Sequence, residues 1–155
     1  MGAKIAVSTC LWFQKDAEEA AELYVSLFDD AKITSKMMQG DTALTVNLSL
    51  NGHQIMLLNG GPHFKLTEAA SIMAVCDSDA DCDRLYSTLT ANGGKESQCS
   101  WLVDRFGVSW QIVPAQFLKL AQDKDATKVQ RMFAAMMPMK QLDMKVLQKA
   151  FDGKL

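Results

Sequence analysis

An internal repeat of about 60 residues constrains the fold of this chain more than any other feature. The segment Leu23-Tyr24-x-x-Leu27 recurs as Leu85-Tyr86-x-x-Leu89, and both copies have the spacing of an apolar helix stripe. A strand-like segment closes each half: Gly52 precedes Gln54-Ile55, and Gly107 precedes Trp110-Gln111-Ile112. The pattern predicts two copies of one supersecondary unit, each built as strand, helix and three further strands.

The first half contains the strongest strand pattern in the chain. Residues 43–50 alternate apolar and polar side chains, Asn51-Gly52 is a preferred hairpin turn, and residues 53–59 form the returning strand. Upstream, β-branched and aromatic residues predict a strand over residues 5–13, and Asp16 is expected to cap the helix that follows. A further strand is expected over residues 31–38.

The second half repeats the order and then adds a helical tail. Strands are predicted at residues 70–76, 98–103 and 108–113, with a helix capped by Asp77 or Asp79 after the first. Asp125 and Asp143 are expected to cap two of the three tail helices. The expected fold is α+β, with two βαβββ units whose curled mixed sheets surround a cleft, plus C-terminal helices. We expect one domain over residues 1–155, with parts at residues 5–60, 69–114 and 115–153.

Composition excludes several classes of protein. The net charge is 16 − 18 = −2, which argues against a nucleic-acid-binding surface. No apolar run approaches the roughly 18 residues of a membrane span, and no signal peptide is recognisable. Cysteines at positions 10, 76, 82 and 99 form no C-x-x-C pair. Free thiols in a reducing, cytoplasmic compartment are therefore expected.

Several short motifs occur together and in order along the chain. They are Cys10-Leu11-Trp12-Phe13, Leu58-Asn59-Gly60-Gly61-Pro62, Thr67-Glu68-Ala69, Trp101-Leu102-Val103-Asp104-Arg105-Phe106-Gly107 and Ser109-Trp110-Gln111-Ile112-Val113-Pro114. Together they resemble the PhnB-like branch of the glyoxalase/bleomycin-resistance (vicinal oxygen chelate) superfamily, often labelled 3-demethylubiquinone 3-methyltransferase. The tail motif Ala135-Met136-Met137-x-Met139-Lys140, with Asp143, resembles the same branch. The resemblance implies the paired βαβββ fold and a homodimer.

The resemblance also indicates where a divalent metal would be bound in enzymes of the superfamily. The four matching positions here hold Thr9, Asn59, Ser71 and Gln111. Because this set lacks an imidazole, a thiolate and a carboxylate, it suits Zn²⁺ or Fe²⁺ poorly. We therefore expect no native metal and no cofactor.

The three tryptophans lie on predicted strands and suit either a ligand pocket or the core. Strand parity places Trp110 and Gln111 on opposite faces, and the same conflict separates Thr9 from Trp12. If the superfamily placement holds, Gln111 faces the cleft and Trp110 packs against a helix. The predicted ligand-binding residues are Thr9, Trp12, Asn59, Ser71, Trp101 and Gln111.

The sequence leaves two classes of function open. The first is a small-molecule-binding protein that holds its ligand without a conventional metal centre. The second is a metal-dependent lyase, isomerase or dioxygenase with unusual ligands. Methyl transfer is disfavoured, because Gly60-Gly61 precedes Pro62 and Gly93-Gly94 follows a helix, whereas S-adenosylmethionine usually needs a glycine-rich strand-to-helix turn. The expected partners are a small molecule and a second copy of the chain, with neither nucleic acid nor membrane.

Overall fold

The computed structural model describes residues 4–155, and within this range no helix has the length and apolarity needed to cross a membrane. The chain divides into two compact units, residues 1–66 and 67–155. The elements are β1 (Thr9–Phe13), α1 (Ala17–Ser26), β2 (Ala31–Gln39), β3 (Thr42–Leu50), β4 (His53–Asn59), β5 (Ser71–Cys76), α2 (Asp79–Thr90), β6 (Lys95–Glu96), β7 (Trp101–Val103), β8 (Ser109–Pro114), α3 (Ala115–Ala121), α4 (Ala126–Met136) and α5 (Met144–Phe151).

The first unit is a four-stranded sheet of order β1-β4-β3-β2 with α1 on one face. β1 runs parallel to β4, and the two other pairings are antiparallel. The alternating strand β3 explains this one-sided packing, because Val46, Leu48 and Leu50 are buried on a single face. Tyr24 of α1, which is fully buried, belongs to the same core.

The first strand is shorter than predicted, since β1 begins at Thr9 rather than at Ile5. Pairing with β4 starts where Thr9 meets Ile55, so the preceding residues have no neighbouring strand. Ile5 and Val7 are accordingly 88% and 85% exposed. The prediction of a strand over residues 5–8 was wrong because β propensity alone supplies no pairing partner.

The second unit repeats the topology as the sheet β5-β8-β7-β6, again with one parallel pair, β5 with β8. Its helix α2 is capped by Ser78, whose hydroxyl accepts a hydrogen bond from the Asp81 N–H. The expected caps Asp77 and Asp79 were therefore wrong by one position. The antiparallel hairpin of β6 and β7 at the edge of this sheet is short, because β6 contains two residues and β7 three.

The tail forms three helices that pack on the end of β8. Asp125 and Asp143 cap α4 and α5 through their carboxylates, as predicted. The apolar side chains of the tail form one cluster with Val113, centred on the fully buried Met132 and Leu147. The α+β class, the two βαβββ units, the mixed sheets and the C-terminal helices are thus confirmed, and both sheets are open rather than closed into a barrel.

Candidate functional site

The second sheet has one face that α2 does not cover. The register pairs Trp101 and Met73 with Gln111, so these three side chains lie on one face of the sheet, and Ser71 and Val75 lie on the same face of β5. We call this surface the face opposite α2. Met73 and Val75 are 52% and 47% exposed, although both are apolar. Strands that present apolar side chains to solvent commonly mark a binding surface.

A hydrogen bond between two side chains lies on this face. The Gln111 amide donates from Nε2 to Ser71 Oγ at 2.8 Å, and both residues are half-buried. Within residues 4–155 the Gln111 amide makes no second side-chain hydrogen bond, so its carbonyl oxygen and its other N–H remain available. The Ser71 hydroxyl accepts in this bond and keeps its own proton for another acceptor.

Ser109 adds a second polar feature to the same face. It pairs with Ser71 in the register, two residues before Gln111 on β8. Its hydroxyl is buried and, among the described residues, has no hydrogen-bond partner. A buried hydroxyl without a partner is costly, because it has given up its hydrogen bonds to water. Ser109 was not among the predicted site residues, although its spacing of two from Gln111 places both on one face.

Trp110 lies on the other face of β8, as strand parity predicts. Its ring is completely buried, and its Nε1 donates to Asp104 Oδ2 at 2.9 Å. The other Asp104 carboxylate oxygen accepts from the backbone N–H groups of Phe106 and Val108. Trp110 therefore belongs to the core beneath α2 and fixes the turn between β7 and β8.

Trp12 is the main aromatic residue of the first unit. It lies on the face opposite α1 with Cys10, Met56 and Leu58. Thr9 lies on the other face, because it pairs with Ile55 of the buried core. Thr9 and Trp12 therefore lie on opposite faces of the first sheet, as strand parity predicts.

A glycine-rich loop is built around the Trp12 ring. Its indole N–H donates to the Gly61 carbonyl at 2.9 Å, and Phe64 stacks edge-on at 4.9 Å between ring centroids. A Cβ atom at Gly60 would collide with the indole, so only glycine fits there. The loop presents Phe64 to solvent with 65% of its surface exposed. Phe64 could not be identified from the sequence pattern, because loop residues carry no periodic signal.

Asn59 lies on the α1 side of the first sheet and makes two hydrogen bonds to the backbone. Its Oδ1 accepts from the Ala17 N–H at 3.0 Å, and its Nδ2 donates to the Ala43 carbonyl at 2.9 Å. The side chain of Asp16, the expected cap, makes no capping hydrogen bond. Asn59 therefore caps α1 from the end of β4 and joins that helix to β3.

The structure thus brings together three of the six predicted ligand-binding residues, Ser71, Trp101 and Gln111, on one face of the second unit. Trp12 faces away from α1 in the first unit, while Thr9 and Asn59 lie on the α1 side. Met73 and Val75 were missed, although their alternation with Ala74 could have identified them.

Metal binding and nucleophilic attack each require particular side chains. Within residues 4–155 no three His, Cys, Asp or Glu side chains converge so that they could hold a metal ion. Cys10 has an exposed thiol on the face opposite α1. Partial desolvation against the sheet raises the pKa of this thiol, which therefore stays protonated at neutral pH.

Comparison with known proteins agrees with the motif-based resemblance. The family model described as 3-demethylubiquinone-9 3-methyltransferase matches residues 5–113. A Bacillus cereus structure titled putative 3-demethylubiquinone-9 3-methyltransferase, PhnB protein, shares 29% identity with a TM-score of 0.65, covering 70% of this chain and 98% of its own. A Pseudomonas aeruginosa structure shares 20% identity with a TM-score of 0.57, covering 72% of this chain and 98% of its own.

A glyoxalase/bleomycin resistance protein from Albidiferax ferrireducens shares 14% identity with a TM-score of 0.48, covering 66% of this chain and 92% of its own. A search of curated proteins gave no match. The family match ends at residue 113, so the tail lies beyond it. The predicted assignment to the PhnB-like branch is confirmed by the family model and the Bacillus cereus structure.

Proposed function

Because the chain belongs to the family described as 3-demethylubiquinone-9 3-methyltransferase, in its PhnB-like branch, we propose that it binds a small, partly apolar molecule on the face opposite α2. The ligand is held by side chains of the second sheet and needs no conventional metal centre. The proposed contacts are Gln111, Ser71 and Trp101, with Met73 and Val75 as apolar neighbours.

The observation that carries this proposal is the hydrogen bonding of Gln111. At a half-buried position, both the carbonyl and the amino group of an amide can bind a ligand. Ser71 satisfies one N–H, so one N–H donor and one carbonyl acceptor of Gln111 remain. A ligand carboxamide supplies the matching acceptor and donor, whereas a carboxylate supplies only the acceptor. We therefore favour a ligand that carries a carboxamide.

The apolar part of the ligand follows from the neighbours of Gln111. Trp101 lies directly across from it on β7, and Met73 lies across from it on β5. A half-buried indole and a flexible thioether suit a flat or aromatic group. The surface combines apolar side chains with a few polar groups, which is the usual composition of a ligand site.

Two glycine pairs bear on the methyltransferase label. Gly60 makes room for the Trp12 ring, and Gly94 fits against the backbone of Leu89 and Thr90 after α2. Both glycines are therefore explained by packing within their own unit, and neither pair opens a helix after a strand. These roles support ligand binding over transfer of a methyl group from S-adenosylmethionine.

Thermal unfolding with two matched compounds tests the proposal. Benzamide should raise the unfolding temperature of the wild-type protein more than benzoate does, and S-adenosylmethionine should leave it unchanged. Gln111→Leu should abolish the benzamide shift, and the matched control Gln130→Leu, at an exposed position on α4, should retain it. Stabilisation by S-adenosylmethionine that Gln111→Leu leaves intact would contradict the proposal and support the methyltransferase label.

We also propose that the protein is a homodimer, as its resemblance implies. β2 is an edge strand of the first sheet, and its Met37 and Met38 are 57% and 53% exposed. An edge strand with exposed apolar side chains favours association with another chain. Light scattering at micromolar concentration should give twice the monomer mass of 17.1 kDa. A mass of one monomer that does not change with concentration would contradict it.

A further inference from the structure

Three asparagines of the chain are each followed directly by a glycine. The pairs are Asn51-Gly52, Asn59-Gly60 and Asn92-Gly93. Because glycine has no Cβ, its backbone nitrogen can approach the preceding side-chain amide without steric hindrance. Attack of this nitrogen on the amide carbon closes a succinimide ring and releases ammonia. In a folded protein the reaction depends on how tightly the amide and the glycine N–H are held.

The Asn59-Gly60 pair is held at both reacting groups. Asn59 uses the oxygen and the nitrogen of its amide in capping α1 and joining it to β3. The Gly60 N–H donates to the carbonyls of Phe13 and Leu58 at 2.9 and 3.0 Å. Both residues of the pair are half-buried. The attacked amide and the attacking nitrogen are therefore both engaged in the folded protein.

The Asn51-Gly52 pair is held at one of its groups. Asn51 Oδ1 accepts from the Asp30 N–H at 3.1 Å, and the Asn51 N–H donates to the Asp30 carbonyl at 2.8 Å. The pair forms the turn between β3 and β4, with left-handed φ angles of 46° and 88°. The Asn51 side chain is exposed, but it must leave Asp30 before it can react.

The Asn92-Gly93 pair is held at neither group. It lies between the end of α2 at Thr90 and the start of β6, and both of its residues are exposed. Within residues 4–155, neither the Asn92 side chain nor the Gly93 N–H makes a hydrogen bond. The space around Gly93 is also open, because an added Cβ would meet nothing nearer than Arg105 Cβ at 4.0 Å. Both reacting groups are therefore accessible and unrestrained.

We propose that Asn92 is a site of spontaneous deamidation in the folded protein, whereas the fold protects Asn51 and Asn59. The Gly93 nitrogen loses its proton and attacks Asn92 Cγ, and the amide nitrogen leaves as ammonia, which takes up that proton. Water then opens the succinimide at either of its two carbonyls. One opening gives aspartate and the other gives isoaspartate, in which the main chain passes through the former side-chain carboxyl carbon. Neither an oxidant nor a reductant is needed.

The hydrogen bonds predict the order in which the three pairs react. A hydrogen bond of ordinary net strength slows a reaction that must break it by about fivefold. Asn51, with one side-chain bond to break, should react about fivefold more slowly than Asn92. Asn59 has two such bonds and a third at the Gly60 N–H, so it should react roughly a hundredfold more slowly.

The two products should differ in their effect on the second unit. Asn92 has a φ of 54°, which aspartate adopts almost as readily as asparagine does, so aspartate fits at this position. Isoaspartate adds one atom to the main chain two residues before Gly94. That glycine lies so close to the backbone of Leu89 and Thr90 that a Cβ would collide with it. The isoaspartate product should therefore loosen the end of α2.

Peptide mapping of native and unfolded protein tests the proposal. Wild-type protein is incubated in mildly alkaline buffer, with or without guanidinium chloride, and is then digested with trypsin for mass spectrometry. Asn92 lies on the peptide of residues 85–95, and Asn51 and Asn59 share the peptide of residues 37–65, where fragmentation separates them. We expect native protein to gain the mass of an NH₂-to-OH exchange first at Asn92, and unfolded protein to gain it at all three at similar rates.

Two variants complete the experiment. Asn92→Gln, whose longer side chain cannot close the five-membered ring, should remove the early mass gain from native protein. Deamidated wild-type protein should unfold at a lower temperature than Asn92→Asp, and equal temperatures would contradict an isoaspartate product. The proposal is overturned if native protein deamidates at Asn51 or Asn59 as fast as at Asn92. It is also overturned if Asn92 reacts only after unfolding.

Discussion

Each unit has a side-chain amide on the last strand of its βαβββ order, Asn59 on β4 and Gln111 on β8. The two amides have different roles. Asn59, in the first unit, bonds the backbone of Ala17 and Ala43 and so completes the packing of α1. The Gln111 side chain, in the second, donates to the Ser71 hydroxyl and lies on the face opposite α2. An amide near the superfamily ligand positions is therefore not by itself evidence of a binding site. Its hydrogen-bond partners decide its role.

The edges of the two sheets differ as well. β2 and β3 are nine residues each, whereas β6 and β7 contain two and three. In the second unit Cys99 and Ser100 adopt left-handed backbone conformations, and their N–H groups donate to the carbonyls of Met139 and Lys140. The tail therefore supplies backbone partners where the reduced hairpin has none. It is an integral part of the second unit and does more than cover its end.

The largest expected effect compares the fully buried Trp110 with the half-buried Trp12. Trp110→Ala should lower the free energy of unfolding by about 3–5 kcal/mol, because a fully buried ring is removed. Trp12→Ala should cost less, since its side chain is only partly buried. Urea unfolding at equilibrium measures both. Equal losses for the two variants would contradict the assignment of Trp110 to the core and Trp12 to the surface.

A smaller effect tests the capping role of Asn59. Asn59→Ala should cost about 1–3 kcal/mol, because it leaves the Ala17 N–H and the Ala43 carbonyl without their partner. The matched control Asp16→Ala should stay within about 0.5 kcal/mol, since the Asp16 side chain makes no cap hydrogen bond. If Asp16→Ala proved the more damaging variant, the cap would have been assigned to the wrong residue.

A buried hydroxyl contributes to the attachment of the tail. Ser100 Oγ accepts from the Leu142 N–H at 2.8 Å, and Ser100 is 1% exposed. Ser100→Ala should cost about 1–2 kcal/mol, because the buried N–H loses its acceptor. Ser97→Ala, at an exposed position three residues earlier, is the control and should be nearly neutral. Calorimetric unfolding measures this loss, and an unchanged stability of Ser100→Ala would show that this hydroxyl does not hold the tail.

The sequence predicted the fold well and the site only in part, for physical reasons. Alternation in residues 43–50 and the repeat around Tyr24 and Tyr86 report one-sided burial, which is a local property of strands and helices. The caps of α1 and α2 were misassigned because a cap can come from a distant strand, as Asn59 does, or from the neighbouring residue. Parity separated Trp110 from Gln111 correctly, yet the partners of Asn59 depend on contacts between elements that no local pattern records.

The smallest stability effect is expected for Gln111→Ala. Its side chain and its partner Ser71 are half-exposed, so water can replace the lost hydrogen bond. The free energy of unfolding should change by about 0.5 kcal/mol or less, whereas benzamide binding should be lost. Chemical denaturation and a thermal-shift titration on the same sample separate these two effects. A loss of stability comparable to that of Asn59→Ala would mean that Gln111 is structural.

The most direct test of the central claim follows both amides in one experiment. Titration of ¹⁵N-labelled protein with benzamide would be monitored through the side-chain NH₂ signals of Asn59 and Gln111 in two-dimensional NMR spectra. The account predicts a progressive, saturable shift of the Gln111 signals, while the Asn59 signals stay in place. Shifts at Asn59 with none at Gln111 would contradict it.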